Sequence, residues 1–299
     1  MKNKTIIIAG ATGALGQKIV HHLLEKGVQV RALVRKGSKS ELIEKYLSQG
    51  VNVVEVDYNN SISLQAACLG GTCVVSTLCG LREVVVDLQT KLVKAAVAAN
   101  VPRFIPSDFA TDFTKISLES NRNLGFRKEF QAIVDKEPIA VTSILNGMFT
   151  ELLTGDAPVI LPNINRILFW GNAEQALDFT TMEDTAKYTA EAAVDENTPR
   201  FLRIAGEVAT IRDLQKTATE VHGKNFGLMR MGGLGVLRTT IKLTRFMMPT
   251  TDEVYPPWQG MQYLQNMLSG ISKLEPLDNN RYPNIKWTSV KEVLKNNKG

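Results

Sequence analysis

The chain has 299 residues, of which 44% are hydrophobic and 22% are charged, and its 35 Lys and Arg against 30 Asp and Glu give a formal charge of +5. These values exclude a mainly disordered chain, because the apolar fraction is high and the net charge is small. No apolar run approaches the roughly 18 residues of a spanning helix, and the N-terminus lacks a signal-peptide pattern. We therefore expect a cytoplasmic protein without membrane association. The basic residues are interleaved with acidic ones, so no nucleic-acid partner is expected.

The first 150 residues alternate β-rich runs with helical patterns, which predicts parallel strands joined by crossover helices. The predicted strands are Thr5–Ala9, Val28–Val34, Val51–Val56, Thr72–Ser76, Arg103–Pro106 and Ile139–Leu145. Between the fourth and fifth strands, one apolar stripe at helical spacing predicts a helix. The stripe consists of Val85, Leu88, Leu92, Ala96 and Ala99. The pattern predicts an α/β fold with a parallel sheet, as a nucleotide-binding core over residues 1–150.

The pattern loosens after about residue 150. Ile167–Trp170 predicts a short strand, and Thr180–Val194 begins with two overlapping capping-box signals at Thr180 and Thr181. Phe201–Ala205 and Ile211–Val221 repeat the strand–helix unit. We predict a smaller, mostly helical substrate-binding lobe over residues 151–299, with strand–helix segments at about 177–222 that return to the nucleotide-binding core.

A glycine-rich segment, GATGALG over Gly10–Gly16, follows the first strand and begins a helix. In that context Gly10 permits the tight turn, Gly13 lets a pyrophosphate approach the backbone, and Gly16 lets helix and strand pack closely. The N–H groups at the helix start attract phosphates. A tight turn that binds nothing is the alternative. The predicted cofactor contacts here are Gly10, Thr12, Gly13, Ala14, Leu15 and Gly16.

The second strand ends at Arg35, with Lys36 and Lys39 close behind. An acidic residue at this position selects NAD, whereas Arg accommodates the 2′-phosphate of NADP. We therefore predict NADP(H) as cofactor, with Arg35 and Lys39 at the phosphate; a solvated basic turn is the alternative. Asp57, after the third strand, is predicted to face the adenine or to be a turn residue.

Three segments end later strands at the same edge of the sheet, where ligands of open α/β sheets bind. Thr77 and Leu78 follow the fourth strand and are predicted cofactor contacts. Ser107, Asp108 and Phe109 follow the fifth strand. Ser107 is predicted to contact nicotinamide or substrate and Asp108 to orient a neighbour, unless Asp108 caps the next element. Phe109 is assigned to the substrate pocket.

Together, GATGALG, the strand end at Arg35 and the segment VPRFIPSDF over Val101–Phe109 resemble the NmrA-like and isoflavone-reductase-like branch of the atypical short-chain dehydrogenases/reductases. The resemblance extends through Ile144–Phe149, Asp178–Asp184 and Asp278–Asn284 and so covers nearly the whole chain. It implies that residues 1–150 form a Rossmann core, a doubly wound parallel sheet that binds NADP(H), with a smaller C-terminal lobe and a cleft between them. Members of this group reduce phenylpropanoids, quinones or dyes, whereas the fungal namesake is a nucleotide-sensing regulator.

The sequence offers more than one proton donor. None of the six tyrosines falls between residues 59 and 187, so the Y-x-x-x-K motif of typical short-chain reductases is missing. The resemblance implies a Lys early in the helix before the sixth strand, and alignment puts Arg127 there with Lys128 one residue later. Lys128 is assigned a catalytic role beside Ser107 and Asp108; a solvated helix face, or proton donation by water, are the alternatives.

The segment after the sixth strand completes the predicted site. The resemblance implies that Asn146 contacts the cofactor and that Gly147, Met148 and Phe149 line the substrate pocket, whereas a simple turn is the alternative. The chain is thus predicted to be an NADPH-dependent reductase of a small conjugated or aromatic acceptor, as monomer or homodimer. An NADP(H)-sensing regulator without turnover is the alternative.

Neither the cysteines nor the histidines predict a metal site. The odd number and unpaired spacing of the cysteines predict buried, reduced thiols. The histidines fall on predicted helices without Cys or carboxylate partners at ligand spacing. These residues are Cys68, Cys73 and Cys79, and His21, His22 and His222.

Overall fold

A computed structural model describes residues 4–38, 40–249 and 252–297. Lys39, one of the predicted phosphate contacts, lies outside the described residues. The chain divides into two compact units that interleave along the sequence. The first unit comprises Met1–Phe109, Phe126–Ile144 and Thr185–Leu202, and the second comprises Ala110–Gly125, Leu145–Asp184 and Arg203–Gly299.

The first unit is built on a six-stranded parallel sheet in the order β3-β2-β1-β4-β5-β6. Its strands are β1 Thr5–Ala9, β2 Gln29–Arg35, β3 Asn52–Val56, β4 Cys73–Ser76, β5 Arg103–Ile105 and β6 Ala140–Val141. This order, read from β1 outwards in both directions, is that of the doubly wound dinucleotide-binding folds. The predicted fold class is confirmed. Buried apolar side chains such as Ile7, Val74 and Phe104 fill the core between sheet and helices.

Helices cross between the strands of the first unit. They are α1 Ala14–Glu25, α2 Glu41–Ser48, α3 Ser61–Cys68 and α4 Gln89–Ala98, followed by α5 Arg122–Val134 and α6 Met182–Val194, which each continue from one unit into the other along the chain. The predicted helix over Val85–Ala99 begins as a π-helical turn, Glu83–Leu88, before α4. π-Helical turns are rare and are frequently found at functional sites.

The predicted strand Ile139–Leu145 is wrong as a single element. It is divided into β6 and a separate strand, β7 Ser143–Leu145, because the backbone donors change partner at this point. Thr142 N–H donates to Phe104 O at 3.0 Å in the large sheet, whereas Ser143 N–H donates to Arg200 O at 2.9 Å. Strand β7 pairs with a later strand in a two-stranded sheet.

The second unit contains two three-stranded sheets, β14-β10-β9 and β13-β11-β8. The later strands are β8 Met148–Phe149, β9 Ile160–Leu161, β10 Arg166–Phe169, β11 Leu177–Thr180, β12 Phe201–Arg203 (the partner of β7), β13 Glu207–Ala209 and β14 Gly227–Arg230. The later helices are α7 Ile211–His222, α8 Leu234–Met247, α9 Pro257–Leu268 and α10 Val290–Asn296. At α6, Thr181 Oγ1 accepts from Asp184 N at 3.0 Å, so Thr181 and not Thr180 caps that helix. The second unit has its own apolar core, which includes Phe179, Phe226 and Leu237.

Among the described residues, no helix has both the length and the apolar character needed to cross a membrane.

Candidate functional site

The glycine-rich loop joins β1 to α1 in a conformation that requires glycine. Gly10 has φ +84°, in the left-handed region, and a Cβ there would lie 2.7 Å from Thr77 Oγ1. A Cβ on Gly16 would lie 2.2 Å from Gly10 O. These distances account for two of the predicted roles: the tight turn at Gly10 and the close packing of helix on strand at Gly16.

The start of α1 is open. Its N-cap, Gly13, has extended backbone and supplies no side-chain cap, and Thr12, Gly13 and Ala14 are exposed. The first N–H groups of a helix have no partners within it, and the helix dipole adds positive potential at the same end. The predicted contact Leu15 is half-buried in this first turn. The arrangement fits the pyrophosphate of a dinucleotide.

Tyr46, which sequence reasoning missed, is hydrogen-bonded to the backbone of this loop. Its hydroxyl donates to Ala11 O at 2.6 Å, and burial raises the pKa of the phenol to about 12, so that it stays protonated and donating. Tyr46 lies on α2, 35 residues from Ala11. The signal available in the sequence was an aromatic hydroxyl on the buried side of a short amphipathic helix.

The residues predicted to meet the adenosine end follow β2 and β3 at the same edge of the sheet. Arg35 and Lys36 are exposed. The positive charge of Arg35 acts on the buried phenol of Tyr58, whose pKa burial nevertheless raises to about 12. Asp57 Oδ1 accepts from Asn59 N at 2.8 Å, which is the turn role considered as the alternative for Asp57.

Thr77 and Leu78 connect the glycine loop to the end of β5. Thr77 N–H donates to Ala9 O at 2.8 Å, and Thr77 Oγ1 donates to Gly10 O at 3.0 Å. Ser107 Oγ in turn donates to Leu78 O at 2.7 Å. The structure thus brings the predicted residues of the β1, β4 and β5 strand ends into contact, and the hydroxyl proton of Ser107 is directed at the backbone of the β4 loop.

Gln89 is a second residue that sequence reasoning missed. Its side chain is fully buried; Nε2 donates to Val85 O at 2.6 Å and Oε1 accepts from Ser107 N at 2.9 Å. Gln89 directly follows the π-helical turn, so the end of that turn coincides with the hydrogen bond that fixes the backbone of Ser107. Gln89 lies on the same helix face as Val85 and Leu92, and a polar residue at a core position was the available signal.

Asp108 is enclosed in the first unit. It is 1% exposed, and its Oδ2 accepts from Ser143 Oγ at 2.6 Å while Oδ1 is buried without a hydrogen-bond partner. Burial raises the pKa of the carboxyl, and the Ser143 hydrogen bond and the charges of Arg127 and Arg200 oppose that shift. Asp108 does not cap the next element; Asp112 does, by accepting from Thr114 N at 3.1 Å.

Arg200 completes this network, which we call the Asp108 cluster: Asp108, Arg127, Ser143 and Arg200. Arg200 NH1 donates to Ser143 Oγ at 2.7 Å, and its Nε donates to Asp135 at 2.8 Å. On α5, Arg127 is 8% exposed and acts on Asp108, and the next residue, Lys128, is half-buried. The catalytic role of Lys128 stays a prediction.

Asn146 is the most unusual polar group of the second unit. Its backbone is fixed, since N–H donates to Ala110 O at 2.9 Å and O accepts from Thr180 Oγ1 at 2.7 Å. Its side chain is 0% exposed, and both Nδ2 and Oδ1 lack a hydrogen-bond partner. An unsatisfied buried amide costs stability, and such groups in native structures mark sites where a ligand or water supplies the missing partner.

The residues after Asn146 are held closely. Gly147 has φ +71°, and a Cβ there would lie 2.3 Å from Asp178 O, so no other residue fits. Met148 and Phe149 form β8. Met148 borders an apolar cavity of about 10 Å³, which is the size of about one water molecule. Met148 thus packs in the core of the second unit, and Phe149 is half-buried. Phe109, in the first unit, is 8% exposed.

Two sequence-based expectations about titratable side chains are wrong. Glu25 does lie near two histidines: His22 Nδ1 is 2.9 Å and His21 Nε2 is 3.4 Å from its oxygens, because residues three and four apart share a helix face. The potential ligand atoms of His21, His22 and Glu25 all lie within 4.8 Å of one another. We interpret them as side-chain pairs along α1 and assign no metal to them. Cys79 is exposed in the loop after β4, whereas Cys68 and Cys73 are buried.

The fold and strand-edge site define the class as a doubly wound dinucleotide-binding protein. Comparison with known proteins gives the family. The model of the NmrA-like family matches residues 2–292, and the chain belongs to this family. The resemblance inferred from the motifs is confirmed.

Two relatives and one solved structure illustrate the likeness. The chain is 26% identical over 315 aligned positions to isoflavone reductase of Glycine max, covering 97% of each chain. It is 28% identical over 212 positions to the bifunctional pinoresinol-lariciresinol reductase of Linum perenne, covering 66% of this chain and 68% of the relative. The structure of AtPrR2 with NADP+ and (+)pinoresinol superposes with a TM-score of 0.82 at 21% identity, covering 99% of this chain and 98% of that one. At this identity the superposition shows the shared fold.

Proposed function

We propose that this chain is an NADPH-dependent reductase that transfers hydride to a small conjugated acceptor of phenylpropanoid or quinone type. The observation that carries the proposal is the start of α1: a positive-φ Gly10, a close-packed Gly16 and an N-terminus without a side-chain cap. Relatives named as isoflavone and pinoresinol reductases, one of them solved with NADP+, support the same activity.

The residues of the first unit fit the cofactor. The loop from Gly10 to Gly16 would hold the pyrophosphate, and Arg35 with Lys36 would meet the 2′-phosphate, to which Arg binds in a bidentate, charge-assisted way. When bound, NADPH supplies the hydride from C4 of its nicotinamide. Ser107, through Leu78, and Tyr46, through Ala11, fix the backbone that positions the cofactor.

The cofactor assignment is tested by calorimetry with Arg35→Gln. We expect NADPH to bind the wild type more tightly than NADH, and the substitution to weaken NADPH binding by about tenfold or more while leaving NADH unaffected, because one charge-assisted contact is removed. Lys45→Gln, an exposed charge change on α2, is the control. Equal affinity of the wild type for the two cofactors would contradict the NADPH assignment.

Hydride transfer requires an acceptor and a proton donor. Two buried polar groups have no hydrogen-bond partner among the described residues: Oδ1 of Asp108 in the first unit and the carboxamide of Asn146 in the second. Arg127 holds its proton too firmly to donate it, so Lys128 and water are the donors under test. Replacing Lys128 by Met tests the lysine, since loss of turnover at unchanged NADPH affinity supports Lys128 as the donor, and full activity excludes it.

Turnover separates the reductase from a nucleotide-sensing regulator. NADPH oxidation is measured with quinones, enones and benzylic ethers related to pinoresinol. Oxidation that depends on the acceptor supports the reductase. Tight NADPH binding with no oxidation for any of these acceptors would contradict the reductase proposal and support a nucleotide-sensing regulator.

A further inference from the structure

Helix α8 of the second unit carries two apolar sides, although only one of them is packed. Leu237 and Ile241 point into the core. On the opposite side, Val236, Leu243, Phe246 and Met247 are 51%, 57%, 84% and 69% exposed. Single exposed apolar residues are common on protein surfaces, but four on one face of a short helix form a patch that indicates an interaction site.

A basic strip lies beside this patch. Arg238, Lys242 and Arg245 follow one another at spacings of four and three residues, so they share a face of the helix. At about 100° per residue, that face lies between the buried side and the exposed apolar side. We call the exposed apolar residues and the basic strip together the α8 face.

The sequence around the α8 face is strongly basic. Residues 221–251 contain five Lys and Arg and no Asp or Glu, which equals the formal charge of +5 of the whole chain. Residues 26–40 contain the same excess, five Lys and Arg and no Asp or Glu, at the strand end predicted to meet the cofactor, so the α8 face lies in one of two strongly basic segments. The interleaving of charges described for the chain as a whole does not hold in this segment.

The helix is fixed in place on its inner side. The guanidinium carbon of Arg245 lies 5.1 Å from the ring centroid of Trp258 on α9, and that of Arg122 lies 4.7 Å from the same ring. Trp258 is 2% exposed. Cation–π contacts with a buried indole anchor α8 at its C-terminal end, next to Phe246 and Met247, so the exposed apolar residues project from a supported helix.

The charge of the α8 face selects its partner. A second copy of this chain would bring the same cations face to face, which opposes self-association. An anionic surface complements them, and a basic helix with an outward Phe and Met is the pattern of helices that lie in the interface of a bilayer. We propose that the α8 face docks this protein onto membranes that contain anionic phospholipids. This differs from the expectation, drawn from the sequence, of no membrane association.

The test is sedimentation of the full chain with phosphatidylcholine vesicles that contain or lack phosphatidylglycerol. We expect binding only to the anionic vesicles, weakening as salt is raised. Replacing Arg238 and Lys242 together by Gln should weaken binding by about 25-fold, because each cation near an anionic surface contributes about a fivefold factor. Phe246→Ser should weaken it by about tenfold or more.

Matched controls separate the α8 face from general surface effects. Ile62→Ser changes an equally exposed apolar residue on α3, and Lys94→Gln removes an exposed charge on α4; both should leave vesicle binding unchanged. Far-ultraviolet circular dichroism confirms that the α8 variants are folded.

Three outcomes would overturn the proposal. The first is no binding to anionic vesicles, and the second is equal binding to neutral and anionic ones. The third is a salt-sensitive interaction with polyglutamate that Phe246→Ser leaves intact, together with vesicle binding that Phe246→Ser does not weaken. That result would indicate an acidic protein partner. NADPH turnover is measured separately and does not enter this test.

Discussion

Asn146 is held in place entirely by its backbone, while its side chain has nothing to bond with. The Ala110 and Thr180 contacts fix the main chain, and both polar atoms of the carboxamide are buried without a partner. A residue that served only stability would be apolar here, since a buried amide without hydrogen bonds costs about 1–3 kcal/mol. We therefore propose that a bound ligand supplies the missing hydrogen-bond partners of this side chain.

Replacing Asn146 by Leu tests this explanation. We expect the free energy of unfolding of the ligand-free protein to stay the same or rise by about 1–3 kcal/mol, because an unsatisfied polar group is removed. NADPH-dependent turnover should fall sharply. Urea denaturation and turnover measure the two effects.

The matched control is Asn123→Leu. Asn123 is also buried, but its Nδ2 donates to Val254 O at 2.8 Å and its Oδ1 accepts from Arg122 at 3.0 Å. Its replacement should lower stability. If both variants lose similar stability, the carboxamide of Asn146 has a structural role and the ligand explanation is wrong.

Cys79 provides a reporter for the cofactor. Among the three thiols it alone is exposed, and it follows the predicted cofactor contacts Thr77 and Leu78. Burial raises the pKa of the Cys68 and Cys73 thiols to about 11, which keeps them unreactive. We expect iodoacetamide to modify Cys79 alone and NADPH to slow that reaction severalfold, measured by mass spectrometry. A rate that NADPH leaves unchanged would contradict a cofactor at this loop.

At the scale of elements, a buried ion pair joins two parts of the second unit. Asp178 on β11 accepts from Lys273 Nζ and, at 2.9 Å, from the backbone N–H of Leu274, so it ties the segment after α9 to the β13-β11-β8 sheet. The two side chains are 5% and 15% exposed. Burial raises the pKa of the Asp178 carboxyl, and the contacts with Lys273 and Leu274 oppose that shift.

Replacing Lys273 by Met should lower the free energy of unfolding by about 3–5 kcal/mol, because it leaves a buried carboxylate uncompensated. The loss should be larger at pH 8 than at pH 5. Without the lysine the folded pKa rises further above the unfolded value, and stability then falls as pH rises toward the folded pKa. Urea denaturation at both pH values measures it.

Lys291→Met is the comparison for this element. It breaks the exposed Lys291–Glu220 pair, and exposed pairs contribute little to stability. If Lys273→Met lowers the free energy of unfolding no more than Lys291→Met does, or if its effect is independent of pH, the Asp178–Lys273 pair does not stabilise this unit.

Local pattern predicted the elements better than the contacts between them. The glycine loop, its helix and the strand ends were predictable, because turn geometry, periodicity and strand direction depend on residues that are close in the sequence. The division between β6 and β7 was not, since it depends on Arg200 supplying a carbonyl 57 residues from Ser143. The supports from Gln89 and Tyr46 were missed for the same reason. Each is a polar group buried by long-range packing.

For the molecule as a whole, buried phenols and thiols predict an alkaline limit to stability. Burial raises the pKa of Tyr46 and Tyr58 to about 12 and that of Cys68 and Cys73 to about 11. The folded state therefore binds more protons than the unfolded state above the ordinary pKa values, and stability falls as pH rises from about 9 toward 12. Guanidinium denaturation across this range measures the slope.

Tyr58→Phe identifies one contribution to that slope. The variant lacks a group that must lose its proton in a buried position, so its stability should fall less steeply above about pH 10 than that of the wild type. Identical slopes for the two proteins would show that Tyr58 does not contribute.

The interleaving of the two units has a consequence for how the gene can be divided. The polypeptide passes from one unit to the other five times, at residues 109/110, 125/126, 144/145, 184/185 and 202/203. A fragment that stops near residue 150 would keep Asp108, Arg127 and Ser143 but would lack Arg200 and the strand β12 that pairs with β7. Neither unit is formed by one continuous segment of the chain. Recombination that exchanges the N-terminal and C-terminal halves of related genes would therefore divide the cores of both units. New specificities in such a chain are expected to arise through point changes and loop insertions.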